Sequence, residues 1–142
     1  MSVEANKQTV RRIFEDDFNQ SDPTIPARVA AEIFSPDFYD ATNPEGMKHG
    51  LDGHNATVSL FHASFPDMVW SVEDVVAEGD DVVARTLMSG THTGEFFGIP
   101  PTGREVRVAG IHMLTLRDGK VILHQGVNDD LGMMQQLGVA PG

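Results

Sequence analysis

Cysteine is absent from the 142 residues, and basic side chains are scarce, with 10 Lys and Arg against 21 Asp and Glu. The lack of cysteine excludes disulfides, thiolate metal ligands and cysteine nucleophiles, so a reducing cytoplasm is the expected compartment. The formal net charge of −11 repels phosphate backbones and anionic lipid head groups. We therefore expect neither nucleic acid nor a membrane as a partner.

Long apolar runs are missing as well. The N-terminal run MSVEANKQTVRRIF is too polar for a signal region or a membrane span. Apolar residues make up 40% of the chain and charged residues 22%, which are ordinary values for a globular protein. A length of 142 residues fits one domain, so we treat 1–142 as a single unit.

Several catalytic motifs are absent. The stretch GTHTGEFFGIPPTGREV is rich in glycine, but it lacks the lysine of a phosphate-binding P-loop and is followed by a strand pattern. The chain contains neither the GxGxxG of a dinucleotide loop nor the GxSxG of a serine hydrolase. From its residues alone, this stretch is a stiff loop with sharp bends.

Hydrophobic periodicity separates the chain into a helical part and a strand part. Helical spacing predicts helices over Glu4–Asn19, from Pro26 to Phe34, and over HNATVSLFHASF before Pro66. Alternation then predicts four strands and a last helix capped by Asp129. Helices followed by antiparallel strands predict an α+β domain, a curved sheet wrapped around the N-terminal helices. The predicted strands are Met68–Ala77, Asp81–Thr93, Arg104–Leu116 and Val121–Asn128, and the last helix is Leu131–Leu137.

Two long segments carry a family resemblance. The run FPDMVWSVEDVVAEGDDVVARTLMSGTHTGEFFGIPPTGREV, followed by DGKVILHQGVNDDLGMMQQLG, resembles the SnoaL-like polyketide cyclases, or ester cyclases, of the nuclear transport factor 2-like superfamily. The resemblance implies a cone-shaped α+β fold with an apolar pocket between helices and sheet, and it makes the glycine-rich stretch the loop at the pocket mouth. It also implies an intramolecular aldol closure without metal or organic cofactor.

The resemblance assigns two positions in the pocket. His112 matches the family histidine that lines the pocket and contacts polar groups of the substrate. Ungapped matching places Gly126 where the best-known cyclases carry their acid/base carboxylate. Because glycine cannot accept a proton, another side chain has to supply this function if the chain is a cyclase.

His124 is the leading substitute, and its orientation depends on the hairpin that precedes it. A three-residue loop at Arg117–Gly119 would pair His112 with His124 and direct both histidines and Asn128 into the pocket, and the family resemblance favours this register. A two-residue turn at Asp118–Gly119 would pair His112 with Gln125 and direct His124 away. An unperturbed pKa of about 6.5 suits histidine for proton transfer in either direction.

Other polar candidates have competing structural interpretations. Asp40, beside Tyr39 in the loop after the second helix, is either the missing carboxylate on the opposite wall or part of an ordinary turn. His92 at the mouth either contacts substrate or orders the loop through hydrogen bonds. A zinc site made by His92, His112 and His124 is a weaker alternative, because the spacing has no HxxxH signal, and we predict no metal.

The remaining predictions concern the walls and the surface of the domain. Acidic residues of the first helix and the turns, among them Asp17, are interpreted as solvated charges. Asp74 and Arg85 are predicted to pair across a two-residue turn at Gly79-Asp80. Aromatic and methionine side chains are predicted to line the pocket or to form core: Phe14, Phe18, Phe34, Trp70, Met88, Phe96 and Phe97.

The leading hypothesis is cofactor-free acid/base chemistry, such as cyclisation or isomerisation, on a small hydrophobic carbonyl compound. One alternative is a ligand-binding protein that has lost the cyclase carboxylate, and another is a hydrolase or dehydratase with a histidine-activated water. Val121, Leu123 and Val127 are predicted to lie on the outer sheet face and to favour a homodimer.

Overall fold

The computed structural model describes residues 2–20, 22 and 24–140, and helices cover one face of a single five-stranded sheet in strand order β1-β5-β4-β3-β2. The predicted α+β class is confirmed. The helices are α1 (Val3–Arg12) with a π-helical segment (Ile13–Phe18), α2 (Thr24–Ile33), α3 (Leu51–Ser64) and α4 (Asp130–Leu137), and the strands are β1 (Phe34–Asp40), β2 (Val69–Glu78), β3 (Asp81–Thr91), β4 (Glu105–Arg117) and β5 (Lys120–Asn128).

The first predicted helix changes its winding halfway. Ser2 caps α1 by accepting from the backbone N–H of Ala5 at 3.1 Å. The π-helical segment ends where Asn19 N–H bonds to Phe14 O at 3.2 Å, an i to i−5 hydrogen bond. The Asn19 side chain then bonds both backbone groups of Trp70, so the end of this segment is fixed to β2. Single π-helical turns inside helices occur frequently at functional sites.

Strand β1 corrects the prediction of a purely antiparallel sheet. Phe34 begins this strand and does not end the second helix, because Ser35-Pro36 cannot continue a helix and Phe34 pairs with Val121. The strand runs parallel to β5, and its last residue, Asp40, pairs with His124. Asp40 therefore lies on the neighbouring strand and not in a loop on the opposite wall.

The hairpin between β4 and β5 has the two-residue turn, with Asp118 at φ 53° and Gly119 at φ 78°. By itself this turn would send His124 to the outer face. A bulge after Val121 shifts the register by one residue, so Thr115 pairs with Leu123 and His112 pairs with Gly126. His112 and His124 therefore share the inner face as diagonal neighbours, and the predicted direct pairing is wrong.

The same bulge separates the three residues predicted on the outer face. Val121 is fully buried and faces inward opposite Leu116, whereas Val127 is 70% exposed on the outer face. Two other predictions are confirmed: Arg85 bonds Asp74 across β2 and β3, and Asp129 caps α4 by accepting from Gly132 N–H. None of the helices in the described ranges is long and apolar enough to cross a membrane.

Candidate active site

The helices and the inner sheet face enclose a cavity of about 170 Å³. Because a cavity of about 150 Å³ holds one benzene ring, this one accommodates a single ring in its present shape. Phe18, Trp70 and Phe97, which the sequence nominated for the pocket, all line it. The further aromatic lining comes from Phe14, Phe34, Phe61 and Phe96.

A continuous chain of hydrogen bonds, which we call the sheet-wall chain, joins Asp40, His124, His112 and Asn128. Oδ1 of Asp40 lies 3.0 Å from Nδ1 of His124, and Nε2 of His124 lies 2.9 Å from Nδ1 of His112. Nε2 of His112 lies 3.2 Å from Oδ1 of Asn128, the longest contact of the chain. All four side chains line the cavity, so the fold adds Asp40 to the two histidines and Asn128, which the sequence nominated together.

Two arrangements of protons satisfy the contacts from Asp40 to Nδ1 of His112, and they differ in the contact between Nε2 of His112 and Oδ1 of Asn128. In the loaded form, His124 is protonated on both nitrogens and donates to Asp40 and to Nδ1 of His112, which in turn donates from Nε2 to Asn128. In the unloaded form, His124 donates only to Asp40, and His112 donates from Nδ1 to His124. Nε2 of His112 then carries a lone pair, and because Oδ1 of Asn128 is also an acceptor and cannot bond to it, this nitrogen is left to accept a proton from a ligand. The two forms differ by one proton. For a ligand in the cavity, the difference is whether Nε2 of His112 donates or accepts a hydrogen bond.

Burial controls the charge of the central imidazole. Burial, together with the positive charge of His124, lowers the pKa of His112 to about 4, against the opposing effect of the hydrogen bond to Asn128. His112 is therefore neutral at neutral pH. Burial raises the pKa of the Asp40 carboxyl, but the hydrogen bond from His124 and its charge outweigh burial and leave that pKa below its usual value.

Gly126 provides the space for the contact between the two histidines. A Cβ at this position would lie 2.5 Å from Nδ1 of His112 and 3.0 Å from Nε2 of His124. Any larger residue would therefore displace the imidazoles from each other. Gly110 has the same role for the other end of the chain, since its Cβ would lie 2.2 Å from Oδ1 of Asn128.

A second polar pair lies on the helix wall of the cavity and was missed by sequence reasoning. Oδ2 of Asp17, on the π-helical segment, is 2.5 Å from Nε2 of His54 on α3, which lines the cavity. Asp17 is fully buried, so the prediction of a solvated charge is wrong. The signal was present, because Asp17 follows Ile13 and Phe14 at helical spacing, and His54 precedes Val58 by four residues.

Besides Gly126, three nominated residues lie outside the cavity lining. Tyr39 is 50% exposed and stacks on His49, because alternation along β1 directs it away from Asp40. Met88 is buried in the core of the sheet, where it pairs with Trp70 and Val108.

His92, the third of these, is fully buried below the mouth loop, where its Nδ1 accepts the backbone N–H of Thr102 at 3.2 Å. This contact fits the interpretation that His92 orders the loop. It also leaves His92 out of the cavity that His112 and His124 line, so the alternative of a zinc site shared by the three is not supported. In the described ranges, no three His, Asp or Glu side chains are arranged to hold a metal ion.

The glycine-rich stretch forms the mouth of the cavity. Gly94 packs directly on the end of α3, where its Cβ would lie 1.9 Å from the carbonyl oxygen of Ala63. Ser64 O accepts the N–H groups of Thr93 and Gly94, which fastens the loop to the helix. Phe97 has a φ of 46° and is 57% exposed, although it lines the cavity.

Comparison with known proteins identifies the class of protein to which this chain belongs. The family model of SnoaL-like polyketide cyclases matches residues 8–137, and the chain belongs to this family. Nogalonic acid methyl ester cyclase of Streptomyces nogalater is 31% identical over 112 residues, which cover 75% of this chain and 81% of that protein. Aklanonic acid methyl ester cyclase DnrD of Streptomyces peucetius is 31% identical over 68% of this chain and 70% of its own.

Solved structures show the same fold. The structure of TsrD from Streptomyces laurentii matches with a TM-score of 0.87 at 27% identity, and the match covers 98% of both chains. The expected nuclear transport factor 2-like architecture, in which a sheet that does not close packs against helices, is thereby confirmed.

Proposed function

We propose that the protein catalyses a cofactor-free aldol-type ring closure of a small aromatic keto ester, with His112 as the base. The observation that carries this proposal is the sheet-wall chain, which presents Nε2 of a neutral, buried imidazole to an apolar cavity. Family membership supports the reaction class, since the related proteins from Streptomyces nogalater and Streptomyces peucetius are methyl ester cyclases.

The first step is removal of a proton from the carbon between the two carbonyl groups of the substrate. In the unloaded form, Nε2 of His112 takes this proton, and the C–H electron pair moves into the enolate. The proton on Nδ1 of His112 passes to Nε2 of His124, which gives the loaded form. The enolate carbon then attacks a third carbonyl carbon elsewhere in the same molecule, the electron pair of that C=O bond moves to its oxygen, and the new alkoxide recovers a proton from Nε2 of His112.

Transfer of the proton to His124 is needed because His112 by itself is a weak base. With a pKa of about 4, an isolated His112 would hold a proton at pH 7 in only about one molecule in a thousand. In the chain, the proton comes to rest on His124, beside the Asp40 carboxylate. His112 contacts the substrate and takes its proton. The Asp40 carboxylate, which is bonded to His124, then stabilises the proton that His124 receives.

The direct test is conversion of an aromatic polyketide β-keto ester to its ring-closed product, followed by chromatography with native protein and with His112→Gln. The proposal requires native turnover without added metal or organic cofactor and its loss in the variant. Native protein that leaves every such ester unchanged would contradict the proposal.

A second candidate function is binding of the same ligand class without turnover. Gly126 favours it, because the position that carries the acid/base carboxylate in the cyclases has no side chain in this protein. The two functions differ in one observable: a binding protein would retain ligand through purification and would return an added keto ester unchanged. A hydrolase or dehydratase would instead incorporate oxygen from labelled solvent into the product or release water.

For the assembly, we propose a homodimer that covers the outer sheet face. Ile111 and Val127 pair there across β4 and β5 and are 46% and 70% exposed. Light scattering on native protein and on Ile111→Glu tests this assembly, and a native monomer would contradict it. The lack of cysteine supports a proposed location in the cytoplasm, which cell fractionation would test.

A further inference from the structure

The Asp17–His54 pair on the helix wall is not hydrogen-bonded to the sheet-wall chain, and the proton transfer described above does not involve it. Its two side chains are 0% and 4% exposed, and the rings of Phe34 and Phe18 pack on the imidazole with centroids 4.4 and 5.7 Å away. A buried acid and a buried base in aromatic surroundings are costly to maintain for packing alone. The pair therefore calls for a functional explanation.

The protonation of the pair follows from its surroundings. His54 is the one ion-pair partner of Asp17 in the described part of the chain, and Oδ1 of Asp17 is buried there without a hydrogen bond. A charged carboxylate beside a neutral imidazole would leave an unpaired negative charge in an apolar environment. A net-neutral pair avoids this charge, and it holds two protons: one lies between Oδ2 and Nε2, and the other is on Nδ1 of His54.

Nδ1–H is thus the group of His54 that is available to donate a hydrogen bond to a ligand. No hydrogen bond joins it to any residue of the described ranges, and the side chain lines the same cavity as the sheet-wall chain. The charge of His54 also helps to lower the pKa of Asp40, and both side chains line the cavity. The helix wall and the sheet wall therefore face one enclosed space.

We propose that Nδ1–H of His54 donates a hydrogen bond to the carbonyl oxygen of a β-keto ester while His112 removes the neighbouring carbon-bound proton. Asp17 is the positioning residue that orients the imidazole and keeps its second proton in place. This inference rests on the proposed function, because it assigns the oxyanion donor for that reaction. It also identifies the ligand class as a compound whose ketone and ester carbonyls flank the reacting carbon.

The step balances without any further reagent. The C–H bond breaks, its proton moves to Nε2 of His112, and its electron pair forms the carbon–carbon double bond of the enolate. The negative charge develops on the carbonyl oxygen that faces His54. A donor aimed at this oxygen is worth most in a site that excludes water, and removing one such donor typically slows a reaction by about 10²–10³-fold.

Ethyl benzoylacetate is a suitable probe, because its keto ester is attached to a single aromatic ring. In D2O, mass spectrometry follows exchange of its α-protons, with the spontaneous exchange rate subtracted. His54→Leu removes the donor and is expected to slow enzymatic exchange by about 10²-fold or more. His54→Gln keeps an N–H group and is expected to lose less. His62→Gln, on the same helix but outside the cavity, is the matched control and should stay within about twofold of native.

Binding is measured separately by NMR of protein labelled with 15N at its histidines. Titration with the probe should shift the Nδ1 signal of His54, and Asp17→Asn should move the His54 signals before any ligand is added. A merely structural role of Asp17 would change thermal stability and leave the tautomer of His54 as it is.

The outcomes separate the two proposals. If His112→Gln loses exchange while both His54 variants keep the native rate, the donor role of His54 is wrong and the base remains. If native protein shows no exchange, the proposed function is wrong, and His54 is then judged by NMR alone. A His54 signal that does not move at saturating probe overturns the inference in either case.

Discussion

The two walls of the cavity hold their histidines in different ways. On the sheet wall, both nitrogens of His112 and of His124 lie within 3.2 Å of a polar partner, in a chain that extends from Asp40 to Asn128. On the helix wall, the imidazole of His54 has a single hydrogen-bond partner among the described residues, Asp17. A chain of imidazoles can move a proton from one end to the other, whereas an isolated acid–base pair holds its proton in place. One cavity can thus separate proton transfer from charge stabilisation, because the groups for each are placed on different secondary structures.

The largest expected effect breaks the sheet wall at its contact with the substrate. His112→Gln removes the base, and turnover of the β-keto ester should fall by about 10³-fold, within the usual range for a general base. The measurement is the steady-state rate of ring closure, with circular dichroism to verify folding. A His112→Gln rate within about threefold of native would show that the base lies elsewhere.

The second prediction concerns stability, because the pKa of His112 is about 4 in the folded protein and close to 6.5 in the unfolded chain. Between these values the unfolded chain binds a proton that the folded protein excludes. The stability contributed by this difference is present above about pH 6.5 and is lost as pH falls toward 4. From pH 7 to pH 4.5, urea unfolding should show native protein losing about 2 kcal/mol more than His112→Gln. Equal losses in the two proteins would contradict a neutral, buried His112.

The third prediction breaks the sheet wall at its far end. Asp40→Asn keeps the shape of the side chain but removes the charge that stabilises a protonated His124, so ring closure should slow by about 30-fold, within the range for a lost charge-assisted hydrogen bond. Asp37→Asn, in the same strand and exposed, is the matched control, and its rate should equal that of native protein. If Asp40→Asn matched the control, the proton would not come to rest on His124.

The smallest effect is expected from a substitution that disturbs the contacts of the sheet-wall chain without removing any of its four side chains. Gly126→Ala places a methyl group against both imidazoles, and we expect about a tenfold loss of rate and about 1–2 kcal/mol of stability, as for other overpacked sites. Gly126→Asp, which introduces the carboxylate that the family resemblance predicts at this position, should lose rate too, since the histidines occupy its space. Gln125→Ala, on the outer face of the same strand, is the control. A gain of rate in Gly126→Asp would show that the absence of a side chain at Gly126 does not serve the contact between the histidines.

Most of the fold could be predicted from the sequence, because periods of 3.6 and 2 residues mark long segments clearly. The parallel pairing of β1 could not, since it depends on contacts between Phe34 and Val121, which lie far apart in sequence. His112, His124 and Asn128 were nominated together and Asp40 separately, but the hydrogen bonds that join the four depend on tertiary structure.

The bulge after Val121 shows most clearly why the rest was out of reach. The dipeptide Asp118-Gly119 correctly indicates a two-residue turn, and that turn alone would direct His124 to the outer face. One extra residue in β5 reverses this result, and no local motif announces it. Asp17 and His54 are a different case, because their helical spacing placed them on the inner face and only their polar character argued against burial.

The most direct test of proton transfer by the sheet-wall chain is hydrogen exchange into ethyl benzoylacetate in D2O at pH 7, with native protein and His112→Gln compared under identical conditions. Native protein should introduce deuterium between the two carbonyl groups faster than solvent alone, and His112→Gln should do so no faster than solvent. Exchange at the solvent rate with native protein, or undiminished exchange with His112→Gln, would contradict the assignment of Nε2 of His112 as the base.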